Sequence, residues 1–157
     1  MVNYKNNIKA NRRNFLDDQL KEKYPRIDKL INKRRSELVA DYVSKGSSVD
    51  YSNNIGSSKN GSFVNSTENL NISFTSDPVI IELEKLRQAY LDLLEFLNDD
   101  DKEIFYLRWG LDTQYEWVDV YEILKHSDKG YMYRYYKQVS RRRDFILDKL
   151  AELLHII

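Results

Sequence analysis

The sequence predicts an all-α protein in which two helical regions flank a flexible polar linker. Apolar side chains recur at three- and four-residue steps over 12–43 and again from residue 78 onward, the spacing of an amphipathic helix. The segment between them is rich in Ser, Asn and Gly. We therefore divide the 157 residues into a basic helical region (1–43), a linker (44–77) and a C-terminal domain (78–157).

The N-terminal region carries two apolar sets, and Pro25 separates them. Proline is tolerated in the first turn of a helix but removes a hydrogen bond from its interior, so we expect a break there. The sets are Phe15, Leu16 and Leu20, and then Ile27, Leu30, Ile31, Leu38, Val39 and Tyr42. The polar faces are strongly basic. Two interpretations of this basic surface stay open: it is only solvated, or it touches phosphates or a partner.

The linker holds three of the five glycines and only scattered apolar residues. Such a segment buries too little apolar surface to offset the entropy lost on ordering. We expect it to be flexible.

The C-terminal domain begins with two helices whose ends are marked by local chemistry. Asp77 and Pro78 form an N-cap followed by proline at the first helical position, which begins the first helix. Asn98 caps the second, where the acids 99–101 oppose the helix dipole favourably. Gly110 ends that second helix.

Two further helices are expected, joined by a short polar turn at Ser127 and Asp128. The third spans about 115–126, and we expect it to bury Trp117, Val118, Tyr121 and Leu124. The last is predicted as one long helix over about 129–154. Its inward stripe would be Met132, Tyr135, Val139, Ile146, Leu150 and Leu153.

Charge is balanced overall but not along the chain. The 25 basic and 25 acidic side chains cancel, yet residues 129–143 contain six basic residues and no acid. Two helices joined by a tight turn form a helix-turn-helix, whose second helix can enter the major groove of double-stranded DNA. On helical geometry we expect Tyr133 to be exposed, Tyr135 to be buried, and Gly130 to allow a close approach to DNA. The candidate DNA-binding residues are Ser127, Lys129, Gly130, Tyr131, Tyr133, Arg134, Lys137, Arg141, Arg142 and Arg143.

Other site classes find no support in the sequence. There is no cysteine, and His126 and His155 have no partner at zinc spacing. The acids 99–101 are explained by capping rather than by a metal. No phosphate loop or nucleophile motif occurs, so we expect no catalysis and no cofactor. Without a signal peptide or a run of roughly 20 apolar residues, a cytoplasmic protein is expected, with no membrane contact.

Several of these segments resemble a known family. The motifs are LNDDDKEIFYLRW (97–109), YEWVDVYEILKHS (115–127), YRYYK (133–137) and the closing DKLAELL; upstream are INKRRSEL (31–38), YSNNIGSSK (51–59) and STENL (66–70). Together they are similar to the RinA/ArpU group, late transcription activators of phages of Gram-positive bacteria with a sigma-factor region 4-like domain. The resemblance implies activation of a late operon in the host cytoplasm, with promoter DNA and host RNA polymerase as partners.

One departure from the group concerns the last helix. About seven more residues than in the family separate Ser127 from Leu147. That is about two helical turns, which keeps the buried face in register. The extra turns hold Arg141, Arg142 and Arg143, which would extend the phosphate contacts if the helix is continuous through Ser140. Whether it is continuous stays open.

Two other functions stay open beside activation. One is a small terminase-like protein that recognises DNA for packaging and forms a ring. The other is a helical interaction module, in which the stripe from Met132 to Leu153 would be a coiled-coil seam. The operator and the oligomeric state are not fixed by the sequence.

Overall fold

The computed structural model describes residues 2–46 and 62–156, and within these ranges every regular element is a helix. The all-α prediction is therefore confirmed. A 3-10 turn at Tyr24–Arg26 separates the first two helices, as Pro25 predicts. The α-helices are α1 (Val2–Lys23), α2 (Ile27–Gly46), α3 (Ser62–Ser76), α4 (Pro78–Phe96), α5 (Asp99–Trp109), α6 (Trp117–Lys125) and α7 (Tyr136–Leu153).

The chain divides into two compact units. The first combines Met1–Ile27 with Lys85–Ile157, and the second is Asp28–Glu84. Within the first unit, α1 packs with α5 and α7. Leu16 and Leu20 of α1 are almost fully buried in the same core as the helices from α4 onward.

The core of the first unit is built from α1, α4, α5, α6 and α7. Its largest fully buried side chains include Trp109, Phe105 and Tyr90. Trp109 meets Trp117 edge to face, with ring centroids 5.4 Å apart, a preferred arrangement of aromatic pairs. Burial of these rings joins α5 to α6.

The ends of α5 follow the predicted local chemistry. Asn98 accepts a hydrogen bond from the backbone N–H of Asp101 at 2.9 Å and thus caps the helix. Gly110 ends it by donating its backbone N–H to the Tyr106 carbonyl oxygen at 2.9 Å. A Cβ at Gly110 would collide with that oxygen, so glycine is required there for a close approach.

In the second unit, Asp77 holds the start of α4. Its carboxylate accepts the backbone N–H of Ile80 at 3.0 Å, and Arg34 of α2 contacts the same carboxylate at 2.8 Å. The hydrogen bond from Arg34 is the main cause that holds the pKa of Asp77 below its ordinary value. The predicted N-cap is confirmed.

Two sequence-based expectations about local structure are corrected. Part of the predicted linker, Ser62–Ser76, is helix α3, while residues 47–61 lie outside the described part of the chain. In α6, Val118 is exposed and Val120 is buried. The inner face of α6 is formed by Trp117, Val120 and Leu124, which recur at three- and four-residue steps, and Val118 lies off that face.

The last helix is also shorter than predicted. It begins at Tyr136 rather than at Lys129, and it is continuous through Ser140. The preceding residues instead form turns, with hydrogen bonds from Gly130 N–H to the Ser127 carbonyl and from Met132 N–H to the Lys129 carbonyl. As a result, Tyr133 is buried and Tyr135 is exposed, the reverse of the expectation.

None of the described helices combines the length and the apolarity needed to cross a membrane.

Candidate nucleic-acid interface

A ten-residue segment, 126–135, connects α6 to α7, which is longer than the tight turn expected from the sequence. It is held by the buried ring of Tyr133, which is 3% exposed, and by the Tyr121 hydroxyl, which donates to the Arg134 carbonyl at 3.1 Å. Ser127 closes the end of α6, because its hydroxyl donates to the Leu124 carbonyl at 2.7 Å. The hydroxyl of Ser127, a predicted site residue, is therefore already hydrogen-bonded within the protein.

Gly130 is needed for packing within the chain. A Cβ at this position would collide with the carbonyl oxygen of Lys125 at the end of α6. Glycine thus lets the chain pass close to α6 as it leaves that helix.

Lys129 is tied to the first turn of α5. Its Nζ lies 2.6 Å from Asp100 Oδ1 and 3.0 Å from Glu103 Oε2. Hydrogen bonds to Asp100 and then Glu103 raise the pKa of Lys129 above its ordinary value. The positive charge of this predicted site residue is therefore balanced by α5.

Of the arginine triplet, Arg142 and Arg143 also have partners inside the chain. Arg142 donates from Nε and Nη2, one edge of its guanidinium, to the two carboxylate oxygens of Asp101, a residue only 1% exposed; the Nε to Oδ1 distance is 2.7 Å. Arg143 pairs with the neighbouring Asp144 at 2.9 Å, and its guanidinium carbon lies 5.8 Å from the ring centroid of Trp117. Arg142 therefore ties α7 to α5, and Arg143 lies over a ring of α6.

Three basic residues of the predicted site remain exposed and make no ion pair with any side chain in the described ranges: Arg134, Lys137 and Arg141. We call this set the α7 cationic stripe. Lys137 and Arg141 are four residues apart on α7 and therefore lie on one face. That face is opposite Val139 and Ile146, which are fully buried. Lys137 and Arg141 are thus presented to solvent by a helix whose other face is fixed in the core, and Arg134 lies in the segment just before that helix.

Acidic residues farther along α7 are neutralised by α1. Arg13 contacts Asp144 at 2.8 Å and Asp148 at 2.6 Å, and Arg12 adds a contact to Asp148 at 3.3 Å. These arginines belong to the basic N-terminal region whose role the sequence left open. From α1 these arginines bind carboxylates of α7, and they neutralise negative charge that would repel an anion near the α7 cationic stripe.

Acid is expected to weaken this contact between α1 and α7. The hydrogen bond from Arg13 is the main cause that lowers the pKa of Asp148 in the folded protein. The resulting stabilisation is complete above the unfolded pKa of about 3.9 and is lost as the pH falls through the lower folded pKa. Urea titrations between about pH 5 and pH 2 should show falling stability, less steeply in Asp148→Asn. The same slope in that variant would contradict this assignment.

A carboxylate that was not predicted from the sequence lies where α1, α5 and α6 meet. Asp17 of α1 accepts hydrogen bonds from the indole N–H of Trp109 at 2.8 Å and of Trp117 at 3.0 Å, and it pairs with Arg108 at 3.1 Å. An acid next to Leu16 on the apolar side of α1 is the sequence signal that could have pointed to it. Asp17 joins α1, α5 and α6 at one point.

A cavity of about 220 Å³ lies beside the buried Tyr133. It is lined by Asn98, Asp100, Asp101, Met132, Tyr133, Gln138 and Arg142. Its charged groups are already paired, since Asp100 binds Lys129 and Asp101 binds Arg142. Among the residues that the structure describes, no group of three or more His, Cys, Asp or Glu is placed to hold a metal ion.

Comparisons with protein-family models, curated proteins and solved structures find no match.

Proposed function

We propose that the protein binds double-stranded DNA through the α7 cationic stripe and acts as a transcription activator of the phage late-gene type. The observation that carries the DNA-binding part is the set of three exposed cations, Arg134, Lys137 and Arg141, that lack an ion-pair partner among the described residues. The other three basic residues of the predicted site, Lys129, Arg142 and Arg143, are paired within the chain.

Cations that have no partner and are carried by a fixed backbone can bind phosphates without first breaking an ion pair. Binding of a phosphate releases the counterions around DNA, and this supplies much of the affinity of a protein for a duplex. Cations already neutralised by a carboxylate gain less, because that pair must first be broken. The chain therefore offers its binding charge at the start of α7 rather than over the whole basic segment.

The activator role rests on the resemblance of the sequence segments to the RinA/ArpU group. It implies a promoter site in the host cytoplasm and interaction with host RNA polymerase. Selection of bound fragments from the source genome, followed by footprinting, tests this role. Sites at late promoters are expected; sites confined to a packaging gene would instead indicate a packaging recognition protein.

The stripe is tested by the triple variant Arg134→Ala, Lys137→Ala and Arg141→Ala. Removing one cation that binds a phosphate should flatten the dependence of log affinity on log salt by about 0.9, which gives about 2.7 for all three. Fluorescence anisotropy with the selected duplex over a range of salt concentrations measures this slope.

The matched control removes the same charge elsewhere in the first unit. Lys5, Lys9 and Lys85 are exposed and lie outside the stripe, so their triple replacement by alanine changes net charge equally. We expect the control to keep nearly the wild-type slope. Equal flattening in both variants would mean that only net charge matters, and the stripe would not be the binding surface.

A further inference from the structure

Two tyrosine rings project from the segment that leads into α7. Tyr131 and Tyr135 are 70% and 71% exposed, whereas Tyr133 between them is buried. Two large, mostly exposed aromatic side chains so close in sequence leave much apolar ring surface in water. A ligand that covers the two rings would remove this apolar surface from water.

The backbone that carries these rings is held in place. Tyr133 donates its backbone N–H to the Gly130 carbonyl at 3.2 Å, and the N–H of Tyr135 donates to the Gln138 side chain at 2.9 Å. Farther along, the rings of Tyr136 and Tyr121 meet edge to face, with centroids 5.8 Å apart. Little backbone entropy remains to be lost when the two exposed rings bind.

The charges around the rings indicate the kind of ligand. Arg134 lies between the rings along the chain and Lys137 follows them, and both are exposed without an ion pair in the described part of the chain. Residues 129–143 contain no acid. Aromatic rings set among free cations are the combination that binds unpaired nucleotides, with bases stacked on the rings and phosphates at the cations.

We propose that Tyr131 and Tyr135 stack on unpaired bases, so that the protein prefers DNA in which a duplex adjoins an unpaired stretch. The inference rests on the proposed DNA binding and extends it, because the stacked bases of a continuous duplex offer no free face to a tyrosine ring. The cationic stripe holds the duplex, and the two rings take the bases that leave it.

The test compares two DNA probes of the same sequence. One is a continuous duplex; the other has a central loop of mismatched bases that contains a fluorescent adenine analogue. Stacking on a tyrosine is worth enough that the looped probe should bind at least about fivefold tighter than the continuous one. Emission from the analogue should also change on binding.

Variants separate stacking from contacts of the hydroxyl groups. The double variant Tyr131→Ala with Tyr135→Ala should bind the looped and the continuous probe with equal affinity, and it should abolish the change in emission. Tyr131→Phe with Tyr135→Phe keeps both rings and should keep the preference. The control Tyr115→Ala removes an exposed ring outside the segment and should keep it as well. Circular dichroism establishes that each variant is folded.

The outcomes distinguish this inference from the proposed function. If the wild type binds both probes equally well, stacking is wrong while DNA binding stands. If the phenylalanine variant loses the preference as fully as the alanine variant, the hydroxyl groups act on phosphates and stacking is again wrong. Failure to bind either probe would overturn both proposals.

Discussion

Asp17→Ala is expected to lower the free energy of unfolding by about 3–5 kcal/mol, the usual cost of removing one partner from a buried ion pair. Arg108, whose side chain is only 5% exposed, would lose the carboxylate that binds its Nε and Nη2 and would keep Glu116 and the Tyr115 carbonyl at Nη1. The indole N–H groups of Trp109 and Trp117 would lose their acceptor at the same time. Since small domains are stable by only about 5–15 kcal/mol, the variant should unfold in much less urea.

The adjacent Asp18 provides the control, because it is exposed on the same helix. Asp18→Ala should change the free energy of unfolding by no more than about 0.5 kcal/mol. Urea titration followed by tryptophan fluorescence reports on both variants, since the two indoles lie at the junction. Similar midpoints for Asp17→Ala and wild type would show that the carboxylate does not hold these helices together.

Arg142→Ala is expected to destabilise the protein by about 3 kcal/mol, because it leaves the Asp101 carboxylate buried without its cation. The double variant Asp101→Ala with Arg142→Ala should be more stable than the sum of the single effects predicts, which is the signature of a direct pair. The salt dependence of DNA binding should be unchanged in the folded Arg142→Ala variant.

Arg141→Ala supplies the opposite pattern from the neighbouring position. Arg141 is exposed, so we expect little change in stability but a flatter salt dependence, by about 0.9 in slope. Measuring unfolding and DNA binding for both variants separates the structural arginine from the binding one. If Arg142→Ala flattened the salt dependence of DNA binding without a loss of stability, Arg142 would belong to the binding surface after all.

Three helix boundaries were predictable because their chemistry is local. Asp77 with Pro78, Asn98 and Gly110 each mark a boundary through a hydrogen bond or a steric clash within four residues. The all-α class follows from the same periodic and capping signals.

The start of α7 was not predictable from period alone. Met132, Tyr135 and Val139 fit a helical stripe, yet residues before Tyr136 form turns. What decides the conformation is distant in sequence: Tyr133 is buried in the core, and Lys129 binds Glu103, 26 residues away. Contacts between residues so far apart in sequence leave no signal in a local apolar period of three to four residues.

The candidate site was predicted in part. Sequence counts charges but not their partners, so six basic residues from Lys129 to Arg143 looked alike. Arg142 is paired with a residue 41 positions away, and Arg143 with its neighbour. The apolar residues from Met132 to Leu153 were considered as a coiled-coil seam. They largely pack in the core of the same chain, since Val139, Ile146 and Leu150 are fully buried.

The central claim is that the solvent-facing start of α7 touches DNA. The chain contains no cysteine, so Lys137→Cys gives a unique attachment point for a short photo-crosslinker. With the selected duplex, irradiation should yield a protein–DNA adduct from position 137 and none from the control Lys85→Cys, which is exposed outside the stripe. Adducts from position 85 but not from 137 would contradict the claim.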